Sequence, residues 1–166
     1  GAEEAYTVLA ECFAEEVRLC ESWGNSRPEE GSEHYLAYHI ESVTGRGFIH
    51  GKLVGLCVLV VHLLQHLASG AKSEAKEGEN GYARALVDCK GAARLASFYS
   101  QIGLECAPGS PGMPSVEELK KALHSMDSFL LVEKHLLPGY FHFFGAPNAA
   151  LTEAVCAHVK ILLGAR

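Results

Sequence analysis

The stretch LVGLCVLVVHLLQHLA, residues 53–68, decides the fold. Apart from Gly55, His62, Gln65 and His66 it is wholly apolar, and none of its residues carries a formal charge. A helix that is apolar around nearly its whole circumference has no face to give to water, so the remaining elements must pack around it. The run is shorter than the roughly 20 residues a bilayer core requires. Two histidines near its end also oppose that use, and no membrane-spanning segment is expected.

Working outward, the flanking sequence reads as amphipathic helices. Tyr6, Leu9, Phe13, Val17 and Cys20 recur at three- and four-residue steps between about Glu3 and Trp23, with Glu4, Glu11, Glu15 and Glu16 mostly on the other side. Gly24 ends that helix. After a polar link containing Pro28, Ser32 suits an N-cap for a second helix reaching Val43 or Thr44. Gly45, Gly47 and Gly51 make a turn into the central helix. Ser69 to Gly81, with alternating Lys and Glu, reads as a solvated loop. A fourth helix is expected from Tyr82 to Ile102, closed by Gly103 at C′, with Gly91 inside it allowing close packing. Ser115-Val116-Glu117-Glu118 fits a capping box, starting a fifth helix that runs to Leu137 before Pro138. A sixth runs from about Asn148 to Leu163.

The fold class expected is therefore all-α, a compact bundle of about six helices around the buried helix at 53–68, forming one domain over residues 1–166. A faint internal similarity suggests two pseudo-repeated three-helix halves. It pairs Tyr35 to Thr44 and Cys57 with Phe129 to Leu137 and Cys156.

Composition narrows function more than it defines it. The formal charge is -6, with no basic run, which argues against a nucleic-acid partner. Residues 1–4 lack the basic and apolar regions of a signal peptide, so any such segment is expected to have been removed or never to have existed. Six cysteines (Cys12, Cys20, Cys57, Cys89, Cys106 and Cys156) are even in number and lack zinc or redox spacing. They suggest disulfides and an oxidising compartment, hence a secreted or cell-surface protein. Cys12 and Cys20 lie too far apart along one helix to bridge each other.

Three features invite chemistry. His62 and His66 are four apart on the central helix, so both imidazoles face one side as two metal ligands would, with His135, His142 or His158 as a possible third. An HExxH pattern is absent, because Leu63 follows His62. Gly45 to Lys52 resembles a phosphate loop only loosely: three residues separate Gly47 from Gly51, and Leu53 stands where Ser or Thr is needed. It is read as a glycine hinge. Tyr140-Phe141-His142-Phe143-Phe144 gathers aromatics that suit either a core or a partner surface.

No motif for nucleophilic or acid–base catalysis stands out. The function expected is a non-enzymatic helical interaction domain, extracellular or on a cell surface, that binds a protein partner and needs no cofactor. The alternative is a small-molecule carrier or a metal- or haem-binding protein using His62 and His66.

Overall fold

The computed structural model describes residues 2–26, 30–70, 79–126 and 147–164, and all regular structure among them is helical. The chain divides into two compact units, Gly1–Gly31 and Ser32–Arg166.

Among the described residues, the first unit contains one long helix, α1 (Ala2–Trp23). Gly24 ends it with φ +73°, a conformation glycine adopts without steric cost. Its N–H donates to the Glu21 carbonyl at 3.1 Å and that of Asn25 to the Cys20 carbonyl at 3.1 Å, which satisfies two of the carbonyls left over at the helix end.

The second unit contains α2 (Ser32–Thr44), α3 (His50–Gly70), α4 (Glu79–Val87), α5 (Lys90–Gln101), α6 (Val116–His124) and α7 (Ala149–Leu163). As the apolar run predicts, α3 is central and packs against α2, α4, α5 and α7. Leu53, Leu56, Cys57, Leu59, Val60 and Leu63 are fully buried in it. The helix is longer than the run itself. By length and composition His50–Leu67 could cross a membrane, yet more than half of that window is buried within the protein. Leu36 and Ile40 of α2, Leu119 and Leu123 of α6, and Val155 and Val159 of α7 complete the core.

The link from α2 to α3 is pinned at several points. The Phe48 N–H donates to the Glu41 carboxylate at 3.1 Å, and the Arg46 guanidinium lies over the Phe48 ring, 5.0 Å from its centre. Arg46 Nη2 reaches both carboxylate oxygens of Glu118 at 2.9 Å. Glu118 belongs to the capping box expected at the start of α6. Its carboxylate accepts from Ser115 N–H at 2.7 Å, and its own N–H donates to Ser115 Oγ at 3.1 Å. The Ser115 hydrogen bond first, and Arg46 after it, hold the Glu118 carboxyl below its usual range. The glycine-rich segment is thus a strap tying α2 to α6, and Gly51 lies inside α3.

Several boundaries differ from expectation. The fourth helix is two: the chain corners at Asp88 and Cys89, where the Cys89 N–H bonds to the Leu86 carbonyl at 3.0 Å and Lys90 N–H to Asp88 at 2.8 Å. Leu86, Cys89 and Ala92 are all buried around this corner, so the bend lets two short helices follow the curved flank of the core. The apolar stripe continues through the corner, and periodicity alone does not reveal it. Gly103 closes α5 as expected, with φ +69° and the Leu104 N–H bonded to the Tyr99 carbonyl at 2.9 Å. Of the expected loop Ser69 to Gly81, both ends are helical, in α3 and α4, and residues 71–78 lie outside the described residues. The fifth helix has its C-cap at Ser125, and its expected continuation to Leu137 lies outside from residue 127. Of the pseudo-repeat, the Phe129 to Leu137 member falls there too. Its Cys57 and Cys156 members sit buried on α3 and α7, which pack together.

The disulfides expected from the even cysteine count are absent; none of the six cysteines is joined to another. Cys57, Cys89, Cys106 and Cys156 are core residues, filling the space of small apolar side chains. Burial pushes the Cys57 thiol well up, that of Cys106 to about 11 and that of Cys156 to about 12, so all three stay protonated and unreactive near neutrality. Without bridges, the cysteines no longer favour an oxidising compartment.

Candidate functional site

His62 and His66 lie on α3 as the spacing requires, and among the described residues each meets a neighbouring helix; His135 and His142, two of the candidate third ligands, lie outside the described residues. His66 Nε2 donates to the Ala85 carbonyl of α4 at 3.1 Å. The His62 ring lies over Gly91 of α5, so close that a Cβ built there would sit 2.3 Å from its Nε2. Among the described residues, no group of three His, Cys, Asp or Glu side chains converges to hold a metal. Gly91 is therefore the notch that admits the imidazole between α3 and α5. Gly91→Ala should cost about 1–3 kcal/mol by overpacking. In a His62→Ala background the same change should instead gain roughly 1 kcal/mol from helix propensity. Urea unfolding of the four proteins in that cycle checks the reversal of sign.

His39 is buried on α2, and its Nε2 lies 2.9 Å from Ser125 Oγ. A serine and a histidine at this distance resemble a nucleophile with its base, but the serine proton is committed elsewhere. Ser125 Oγ donates to the Lys121 carbonyl at 2.9 Å, so His39 donates to the hydroxyl and the chain of bonds caps the end of α6.

Burial also holds the His39 imidazole below its ordinary value, partly offset by a hydrogen bond to the Ala122 backbone, and burial lowers His158 as well. The fold accommodates both rings neutral. Their contribution is fully present above the ordinary imidazole pKa of 6.5 and is lost as the pH falls below it, because the unfolded chain then binds protons that the folded chain does not. The urea midpoint should fall between pH 7.5 and pH 5.5, and His39→Gln should flatten that dependence. An unchanged slope in the variant would remove His39 from the account.

A cleft of about 800 Å³ lies between the end of α5, the turn after it and the last turn of α7. Cys106 and Tyr99 are the buried titratable groups on its wall. Tyr99 donates its hydroxyl proton to the Gly55 carbonyl at 2.9 Å, and burial pushes it to about 12. With the Cys106 thiol likewise raised, neither is poised for acid–base or nucleophilic work near neutrality.

The feature that cannot be explained by packing inside its own unit is α1. A lone helix has nothing of its own on which to close an apolar face, and here that face is wide. Tyr6, Leu9, Phe13 and Val17 form one ridge; Val8, Cys12, Leu19 and Trp23 form the ridge beside it, interrupted by Glu16. Seven large apolar side chains on these ridges are exposed, Tyr6 by 72% and Trp23 by 69%. The opposite arc carries Glu4, Glu11 and Glu15 with Arg18. The whole helix holds six glutamates against one arginine, so most of the chain's formal charge of -6 is concentrated there. Of this surface, the heptad-like spacing of Tyr6, Leu9, Phe13 and Val17 is legible in the sequence. That its own compact unit offers nothing to cover this face is not, because periodicity marks a face without saying what lies on it.

The aromatic segment Tyr140, Phe141, His142, Phe143 and Phe144 lies outside the described residues. No protein-family model, curated protein or solved structure matches the chain.

Proposed function

We propose that this protein is a helical interaction module, non-enzymatic, that binds a protein partner by laying the apolar face of α1 into a groove. The single observation behind this reading is the exposure of seven large apolar side chains along one 22-residue helix. Contiguous exposed apolar surface of this kind marks interaction sites, and an amphipathic helix in a groove is a recurrent mode of recognition. Charge defines the partner further. A helix with six glutamates and one arginine suits a groove with an apolar floor and a rim of lysines and arginines, and is poorly matched to an anionic membrane surface or to nucleic acid.

Affinity capture with the intact chain, compared with a Leu9→Glu/Phe13→Glu variant of unchanged helicity and melting temperature, tests this reading. A partner retained by the wild type, lost by the variant and weakened by added salt supports it. Identical capture by both proteins would contradict it.

A further inference from the structure

The sequence directs attention to histidines four residues apart on one helix, whereas the fold brings together two that are sixteen apart. His34 stands in the first turn of α2 and His50 begins α3. The link over residues 45–49 returns the chain so that the two imidazole centres lie 5.3 Å apart, with their planes at 48°. That spacing has a chemical meaning. A tetrahedral metal held at about 2.1 Å by two imidazole nitrogens, each about 1.2 Å from its ring centre, sets those centres roughly 5.3 Å apart.

The surroundings add two elements of a ligand set. Glu33 accepts a hydrogen bond from His34 Nδ1 at 3.2 Å. A carboxylate can only accept, so the neutral ring donates from Nδ1 and keeps the Nε2 lone pair for a ligand, the arrangement that orients metal-bound histidines. Tyr38 stacks on His50 at 22° between planes and 6.2 Å between centres, which restrains that ring. His50 is exposed and His34 partly so, leaving a path for an ion.

We infer that His34 and His50 form a two-imidazole chelate for a divalent metal of the zinc class, oriented by Glu33 and completed by water. Imidazole donors select zinc, copper or nickel over magnesium or calcium. The positive ends of α2 and α3 oppose a cation, and only two protein ligands contribute, so binding is micromolar rather than structural. The metal would clamp the first turn of α2 to that of α3, in a place distinct from the apolar face of α1.

The test uses the intact chain in a Cys12→Ser/Cys20→Ser background, which removes the two thiols that are not buried. Zinc chloride is titrated by calorimetry and by melting temperature, and copper(II) is added for electron paramagnetic resonance. The expected result is one ion per chain, a melting temperature that rises with metal concentration, and a copper spectrum showing two imidazole nitrogens. His34→Ala and His50→Ala should each abolish binding, Glu33→Gln should weaken it about ten- to a hundredfold, and His124→Ala should leave it unchanged. Absence of binding by wild type up to millimolar zinc would overturn the inference and leave the two rings as a tilted aromatic pair. Binding that survives either histidine variant, or a copper spectrum with fewer than two imidazole nitrogens, would also overturn it.

Discussion

Leu59→Ala and Leu63→Ala should each lower the free energy of unfolding by about 2–5 kcal/mol, the largest single-residue stability effects expected in this chain. Both side chains are fully buried on α3, one turn apart, in the cluster to which α2, α4, α5, α6 and α7 all contribute. Removing the isobutyl group forfeits its transfer from water and leaves a space that helices fixed by their neighbours cannot close. Chemical denaturation with an unchanged slope would show that stability alone has moved. A loss below about 1 kcal/mol at both positions would mean that α3 does not hold the centre.

The second large effect falls on binding and leaves stability almost untouched. Phe13→Ala and Trp23→Ala should each weaken partner binding by roughly thirtyfold or more, since large aromatic anchors in desolvated pockets carry most of an interface's energy. Phe13 is 57% exposed and Trp23 69%, so in the free protein neither contributes a core contact and the melting temperature should hardly change. This opposition, binding lost with folding retained, separates α1 from α3, where the reverse is expected. A fall of several degrees in the melting temperature of either α1 variant would place those side chains in the folding core instead.

The contrast between these two helices shows which parts of the protein were legible in the sequence. Residues 53–68 could be read as the buried centre because a run apolar around its circumference has no face for water, and its length and two histidines pointed to a protein core. The capping box at Ser115 and Glu118 and the end of α5 at Gly103 were equally plain, because each satisfies particular backbone groups with particular residue types. The corner at Asp88 and Cys89 was hidden, since neither glycine nor proline marks it and Leu86, Cys89 and Ala92 keep a helical stripe across it. The cysteines misled for a different reason: an even count is compatible with pairing, but a buried thiol packs like any small apolar group and needs no partner.

The candidate sites divide in the same way. His62 and His66 share a face by spacing, yet what each ring meets, the Gly91 backbone and the Ala85 carbonyl, depends on where α4 and α5 lie. His34 and His50 could not be paired from the sequence, because their proximity depends on the return path of residues 45–49 and on the Glu41 and Glu118 contacts that pin it. The amphipathic spacing of α1 was visible from the start, whereas the lack of any covering element within its own compact unit was not.

Trp23, the chain's only tryptophan, provides the most direct measurement, because it lies on the apolar face of α1 and needs no label. In the free protein its fluorescence should lie at the red position of hydrated indole, be quenched readily by acrylamide, and stay the same on dilution. Blue-shifted, quencher-resistant emission from the isolated chain would show that the face is already covered and would contradict the proposal that α1 is presented to a partner. If that emission moved to the red on dilution, the cover would be a second copy of the chain.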